Sequence, residues 1–245
     1  MPRGSQLHVR RFQQSDAAAI VDIGRKTLPF DPLSRYICHV GRRGERILQH
    51  YVEVLLRWSI CMEGVIDVIC TPVEIEGVPP TVVGAAIWLP LNRRPSFSWR
   101  NWLGFFSLDL LAALCLLGFI STKRLFLEYP FKRAESRKQV GLADASLRKL
   151  PSDSWALELA LLDCEYQKRG LESILINAHR ARSKGPIFVD VSRPSARDYF
   201  RELGFELLDR YYLGKGEVDT QGLPVFTGCV TGSGIEVFSL IQREE

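Results

Sequence analysis

The stretch that most constrains this chain runs from Trp155 to Arg182. An apolar strand signal, WALELALL (Trp155 to Leu162), leads through a short turn into a helix with Ile174, Leu175 and Ala178 on its inner side. A strand that hands over to a helix this directly aims the free N–H groups of the first helical turn at one point. The helix dipole adds partial positive charge there, so the turn suits a phosphate or pyrophosphate. Gln167-Lys168-Arg169-Gly170 is by itself a short pattern, and a plain turn with a helix-starting glycine and no ligand fits it equally well.

The remaining segments frame that unit. Leu7 to Phe12 alternates apolar and polar residues as a half-buried strand does. Ser15 and Asp16 offer an N-cap to an amphipathic helix reaching about Lys26, and Pro29 and Pro32 break it. From Ser34 to Met62 the apolar residues Ile47, Leu48, Tyr51, Val54, Leu55 and Trp58 recur at helical spacing. Val65 to Cys70 and Val82 to Leu89 are β-branched strand signals. Past the central unit, Ile187 to Val191 predicts a buried strand, Pro194 to Leu203 a helix, Phe205 to Leu208 a strand start, and Ile235 to Ile241 a closing strand. The order is β-α-α-β-β-insert-β-α-β-α-β-β, one α/β domain over 1–245 with mixed strand pairing and an insert at 91–150.

Composition narrows the function. Hydrophobic residues make up 46% and charged residues 24%, which excludes a disordered chain. The net charge of +4 is spread over short runs (Arg42-Arg43, Lys123-Arg124, Lys132-Arg133) with acids close by, so no nucleic-acid partner is expected. The six cysteines form no C-x-x-C pair. None of His8, His39, His50 and His179 has a Cys or carboxylate at ligand spacing, so no metal site is expected. His179 is expected on the polar side of its helix. Met1 to Gln6 holds no apolar signal core, so the expected location is the cytoplasm.

Four further motifs carry a resemblance. They are Trp88-Leu89-Pro90, Trp155-Ala156-Leu157-Glu158, Gln167-Lys168-Arg169-Gly170-Leu171-Glu172, and Tyr199-Phe200-Arg201-Glu202-Leu203-Gly204-Phe205. Together, and in this order, they resemble the GNAT superfamily (Gcn5-related N-acetyltransferases), in particular a microbial and fungal branch with a long helical insert after the third strand. The resemblance implies a mixed, mostly antiparallel sheet flanked by helices. It also implies an acyl-CoA cosubstrate, acetyl-CoA in the simplest case, and acyl transfer to a small-molecule amine, as in secondary metabolism. Amides of Gln167, Lys168, Arg169, Gly170, Leu171, Glu172 and Ser173 would hold the CoA pyrophosphate. Those near Leu161 and Leu162 would hold the pantetheine and polarise the acyl carbonyl. Glu158, placed by alternation on a strand face with Ala160 and Leu162, would be the general base. A salt-bridged or edge carboxylate is the other reading of Glu158. Trp88, Trp99, Trp102 and Phe105 would line the acceptor pocket, or simply pack in the core.

The chain also departs from the family pattern. Glu172 replaces the small residue ending the loop motif; one like-charge contact at about 4 Å and an effective dielectric of about 20 costs on the order of 4 kcal/mol. Phe200 stands where the family has a thiolate-protonating Tyr. A CoA-independent lyase, decarboxylase or cyclase on the same fold, and a non-catalytic binding protein, therefore stay open. In the insert, residues 103–120 are long and apolar enough for a membrane span, but Asp109 near the middle would cost about 2.5–3.5 kcal/mol. A buried or lid helix is expected, with peripheral membrane contact as the lesser alternative. The sequence leaves the oligomeric state open, a homodimer included.

Overall fold

The computed structural model describes residues 7–40, 44–72, 80–91, 114–143, 153–167, 169–225 and 232–243. The helices are α1 (Ala17–Thr27), α2 (Pro32–Ile37), α3 (Gly44–Cys61), α4 (Phe119–Lys123), α5 (Tyr129–Ala143), α6 (Leu171–Arg180) and α7 (Pro194–Glu202). The strands are β1 (His8–Arg11), β2 (Val65–Cys70), β3 (Val82–Pro90), β4 (Trp155–Leu162), β5 (Ile187–Val191), β6 (Glu206–Leu213) and β7 (Ile235–Gln242). They form one sheet in the order β1-β2-β3-β4-β5-β7-β6, antiparallel throughout except for the parallel pair β4–β5. Parallel neighbours need a crossover, and α6 supplies it.

The sheet is covered on both faces. On one, Ile20 and Ile23 of α1 and Leu48, Val52 and Leu55 of α3 pack against Val68, Ala85, Ile87, Leu159 and Leu161. On the other, Leu171, Leu175 and Ile176 of α6 and Phe200 of α7 pack against Ile69, Trp88, Leu157, Leu162, Val189 and Phe238. Every residue of β3 is buried, which is why it reads as an unbroken apolar run rather than an alternating one.

The helical pattern after Ser34 resolves into two helices. Asp31 caps α2 by accepting from Ser34 N at 2.8 Å, and His39 beyond it takes a left-handed φ of 46°. The last antiparallel pair is longer than the strand start at Phe205 predicts, because β6 runs on to Leu213 along β7.

Two irregularities build the cleft. In β4, Leu157 pairs with Trp88 and Leu159 with Ile87, so Glu158 is an extra residue in a β-bulge. In addition, β4 and β5 pair only from Trp155 to Leu157 and from Ile187 to Val189. Beyond those residues β4 follows β3 and β5 follows β7, and a gap opens between them.

Candidate active site

The two sides of the gap carry carboxylates. Glu158 sits at the bulge of β4, and Asp190 follows the last β4-paired residue of β5. The bulge changes the expected parity. Leu157 and Leu162 pack on the α6 side while Leu159 and Leu161 pack on the α1 and α3 side. Glu158 looks to the latter side, toward the insert, and does not share a face with Leu162. Alternation predicted that sharing because a sequence pattern has no mark for the inserted residue.

The insert reaches into this place. Arg133 of α5 donates from Nη1 to Glu158 Oε1 at 2.6 Å, and its Nε lies 3.9 Å from Asp190 Oδ2. Glu158 and Arg133 side chains are 8% and 14% exposed and Asp190 2%, so the three ionic groups are nearly dry. Their formal charge sums to −1, and the neighbouring Arg137 balances it, which makes that burial tolerable. The hydroxyls of Tyr129 and Tyr211 both donate to Asp190 Oδ2, at 3.1 and 3.2 Å. Burial, and then the Asp190 charge, push both phenols well above their ordinary range. Arg137, one turn further along α5, lies 4.7 Å over the Phe188 ring with its Nε unbonded, and burial lowers its pKa. A second arginine, Arg124, ties the insert to α2: it donates to the Tyr36 carbonyl at 2.7 Å and to Glu217 at 2.7 Å. Asp190, Tyr129 and Arg133 were not singled out from the sequence. The one signal for Asp190 was a lone acid in an otherwise apolar buried strand.

On the opposite side of the sheet the loop from Gln167 leads into α6. Gln167 Nε2 donates to the Leu162 carbonyl at 3.2 Å, holding the loop against the end of β4. Gly170 is the N-cap of α6, at φ +72°. A Cβ there would meet nothing nearer than Ser173 Oγ at 4.0 Å, so the glycine answers to backbone conformation rather than to space. Ser173 donates from its hydroxyl and its N–H to the Gly170 carbonyl. Leu171 is buried in the core. Arg169 lies over the Tyr166 ring. Glu172 stands in the first turn, and Gly170, the N-cap, has no side chain to cap it. Tyr199 projects from α7 toward Ser173 and Glu172. Its buried hydroxyl has no well-formed hydrogen bond, and burial, reinforced by the Glu172 charge, raises its pKa. Phe200 points the other way, into the core against Phe205.

The residues present fit a CoA-type cosubstrate. The free edge of β4 past Leu157 can bond an extended amide-bearing chain, with Leu161 and Leu162 side chains buried behind it. The helix start and the orphan Tyr199 hydroxyl offer donors to an anion.

Two expectations need correction. Trp88 does not line an acceptor pocket: it is fully buried, stacked on His179 at 4.0 Å on the α6 side of the sheet. His179 is not on the polar side of its helix. It is fully buried between Trp88, Trp155 and Asp67, with Nδ1 at 3.8 Å from Asp67 Oδ2, and burial lowers its pKa. Asp67, also fully buried, is held by Arg11 and Arg182 at 3.0 and 2.8 Å. Trp99, Trp102, Phe105 and Lys168 lie outside the described residues. Among the described residues no group of His, Cys, Asp and Glu could hold a metal ion.

A splayed parallel pair at the centre of a seven-stranded, mostly antiparallel sheet, with a helix start beside it, is the GNAT fold. The search of solved structures agrees. The chain superposes on arylalkylamine N-acetyltransferase 2 from Aedes aegypti with a TM-score of 0.56 at 12% identity, covering 97% of this chain and 99% of that one. The C-terminal condensation domain of Ebony, in complex with β-alanyl-dopamine, gives 0.56 at 10% identity over 98% and 99%. An agmatine N-acetyltransferase mutant gives 0.51 at 13% identity over 97% and 99%. No protein-family model matches the sequence, and neither does any curated protein.

Proposed function

We propose that the protein is an acyl-CoA-dependent N-acyltransferase acting on a small, fairly apolar amine by direct transfer. The observation that carries this is the gap between β4 and β5, which opens beside the uncapped start of α6. Gly170, Leu171, Glu172 and Ser173 would hold the pyrophosphate, with Gln167 fixing the loop, and the free backbone of β4 near Leu161 and Leu162 would hold the pantetheine. The cosubstrate supplies the acyl group as a thioester. Glu158 Oε1 is bonded to Arg133, which leaves Oε2 as the atom that can take a proton from the attacking amine. Arg133 then acts as the positioning residue that fixes the carboxylate, and Asp190 with Tyr129 and Tyr211 fixes Arg133.

Calorimetry with acetyl-CoA on the full chain tests the reading. Micromolar binding that Gly170→Asp abolishes supports it, because a carboxylate at that position faces the bound phosphates. No binding at millimolar acetyl-CoA ends it. A second reading, a CoA-independent enzyme of the same fold, draws on two observations: Phe200 has no proton to give a departing thiolate, and Arg133 already occupies Glu158. Absent CoA binding, together with a cellular metabolite change on Glu158→Gln, would favour it.

A further inference from the structure

The insert carries large apolar side chains on its outer face: Leu116, Phe119, Ile120, Leu127 and Phe131 are 59, 83, 47, 64 and 69% exposed. Its inner face mixes apolar Leu117 and Leu125 with Ser121, Arg124, Tyr129, Arg133 and Ser136. An ordinary surface helix keeps its outer face polar. The inward polarity is accounted for, since those side chains bond α2, Glu158, Asp190 and Asp209. Among the described residues the outward face has no such account. Phe119, Leu127 and Phe131 recur at four- and eight-residue steps along one side, with Lys123 in the same series. Isolated exposed apolar residues are ordinary, but five within sixteen residues form a patch that marks an interaction surface.

Charge selects the occupant. Residues 114–143 hold six Lys and Arg against two Glu, and three of the six, Arg124, Arg133 and Arg137, turn inward. On the outer side Lys123 and Lys132 are about half-exposed, each paired with a glutamate of the insert (Glu128 and Glu135), and Lys138 is exposed. Bulky apolar side chains interspersed with lysines are the composition that seats a helix in the headgroup region of an anionic bilayer. A two-fold contact of this face with itself would instead set the lysines near one another. No helix among the described residues is long and apolar enough to cross a membrane.

We propose that the outer face of residues 116–131 docks onto an anionic lipid surface. The proposal takes up the peripheral membrane contact that the sequence left as the lesser alternative and is independent of the acyl-transfer reading. Flotation of the full chain tests it, with vesicles of phosphatidylcholine containing about 30% phosphatidylserine and with phosphatidylcholine alone. The chain is expected to float with the anionic vesicles and to be released by raised salt. Phe119→Ser with Phe131→Ser should weaken binding about tenfold or more, with an unchanged circular dichroism spectrum as the folding control. Lys123→Glu with Lys132→Glu should weaken it without touching the apolar residues. Three results would overturn the proposal: no flotation with either vesicle, equal binding to neutral vesicles, or binding unaffected by the Phe substitutions. A dimer seen by light scattering and dissolved by those same Phe substitutions would also overturn it, assigning the face to a second copy.

Discussion

Replacing Arg133 with Met keeps most of the side-chain volume and removes the one cation among the described residues that lies within 4 Å of both cleft carboxylates. It strands Glu158, bonded at 2.6 Å, and leaves Asp190, 3.9 Å away, with only its two tyrosine donors. Breaking a buried pair by removing one partner typically costs about 3–5 kcal/mol, because the remaining charge is left uncompensated. Coulomb attraction at about 4 Å and an effective dielectric of about 20 gives the same order, about 4 kcal/mol. The lost stacking of Arg133 on Tyr129 adds about 0.5–1 kcal/mol. For a chain of this size, each kcal/mol moves the melting temperature by roughly 2–4 °C, so Arg133→Met should melt about 10 °C or more below the parent. Urea unfolding at pH 7 gives the free energy directly. Adding Glu158→Gln should recover at least about 1 kcal/mol, because an amide tolerates the site better than an unpaired carboxylate. A single-variant loss under about 1 kcal/mol would place the pair among weak exposed bridges. A double variant no more stable than the single one would show that Glu158 was never stranded. Either result refutes the picture of a dry ionic plug.

The buried imidazole of His179 gives a pH signature. Its folded pKa is lowered by burial while the unfolded value is about 6.5, so the unfolded chain binds more protons as the pH falls below that value. Stability should therefore hold above pH of about 6.5 and decline below it, and urea midpoints at pH 7.5 and 5.5 should lose that difference in His179→Phe. Asp67, whose pKa is lowered despite burial by its hydrogen bonds and the nearby arginines, contributes in a separate window. Its stabilisation is present above pH of about 4 and lost as the pH falls through its folded value, read as acid unfolding that Asp67→Asn shifts. Tyr199→Phe removes a buried hydroxyl without a well-formed hydrogen bond, so urea unfolding should stay within about 0.5 kcal/mol of the parent. If that hydroxyl serves an anion at the start of α6, the same variant binds acetyl-CoA several-fold more weakly by calorimetry. Gly170→Ala should cost about 1–2 kcal/mol in thermal unfolding, because alanine is strained at φ +72°.

Much of the fold was legible in the residue order. The β-branched runs Val65–Cys70 and Val82–Leu89, the apolar run Trp155–Leu162 and the amphipathic periods of α1, α3 and α6 are local signals, and each became the element it predicts. The turn at Gly170 was legible for the same reason, since a left-handed N-cap selects glycine wherever the chain stands in space. The break between α2 and α3 was not legible, because apolar spacing ran on through it.

What only the tertiary structure decided is the company each polar residue keeps. Glu158 read as a base on a regular strand, but a one-residue bulge turned it toward the insert and gave it Arg133, 25 positions away in the chain. His179 read as a surface residue of its helix, and packing of Trp88 and Trp155 buried it beside Asp67. The insert's basic residues read only as short runs with acids close by, yet Arg124 and Arg133 turned inward and left Phe119 and Phe131 outside. Within an unbroken helix or strand, periodicity fixes which residues share a face, because that follows from backbone geometry alone. Which face meets water, core or another ionic group depends on elements far apart in sequence, and those meet only when the chain closes on itself.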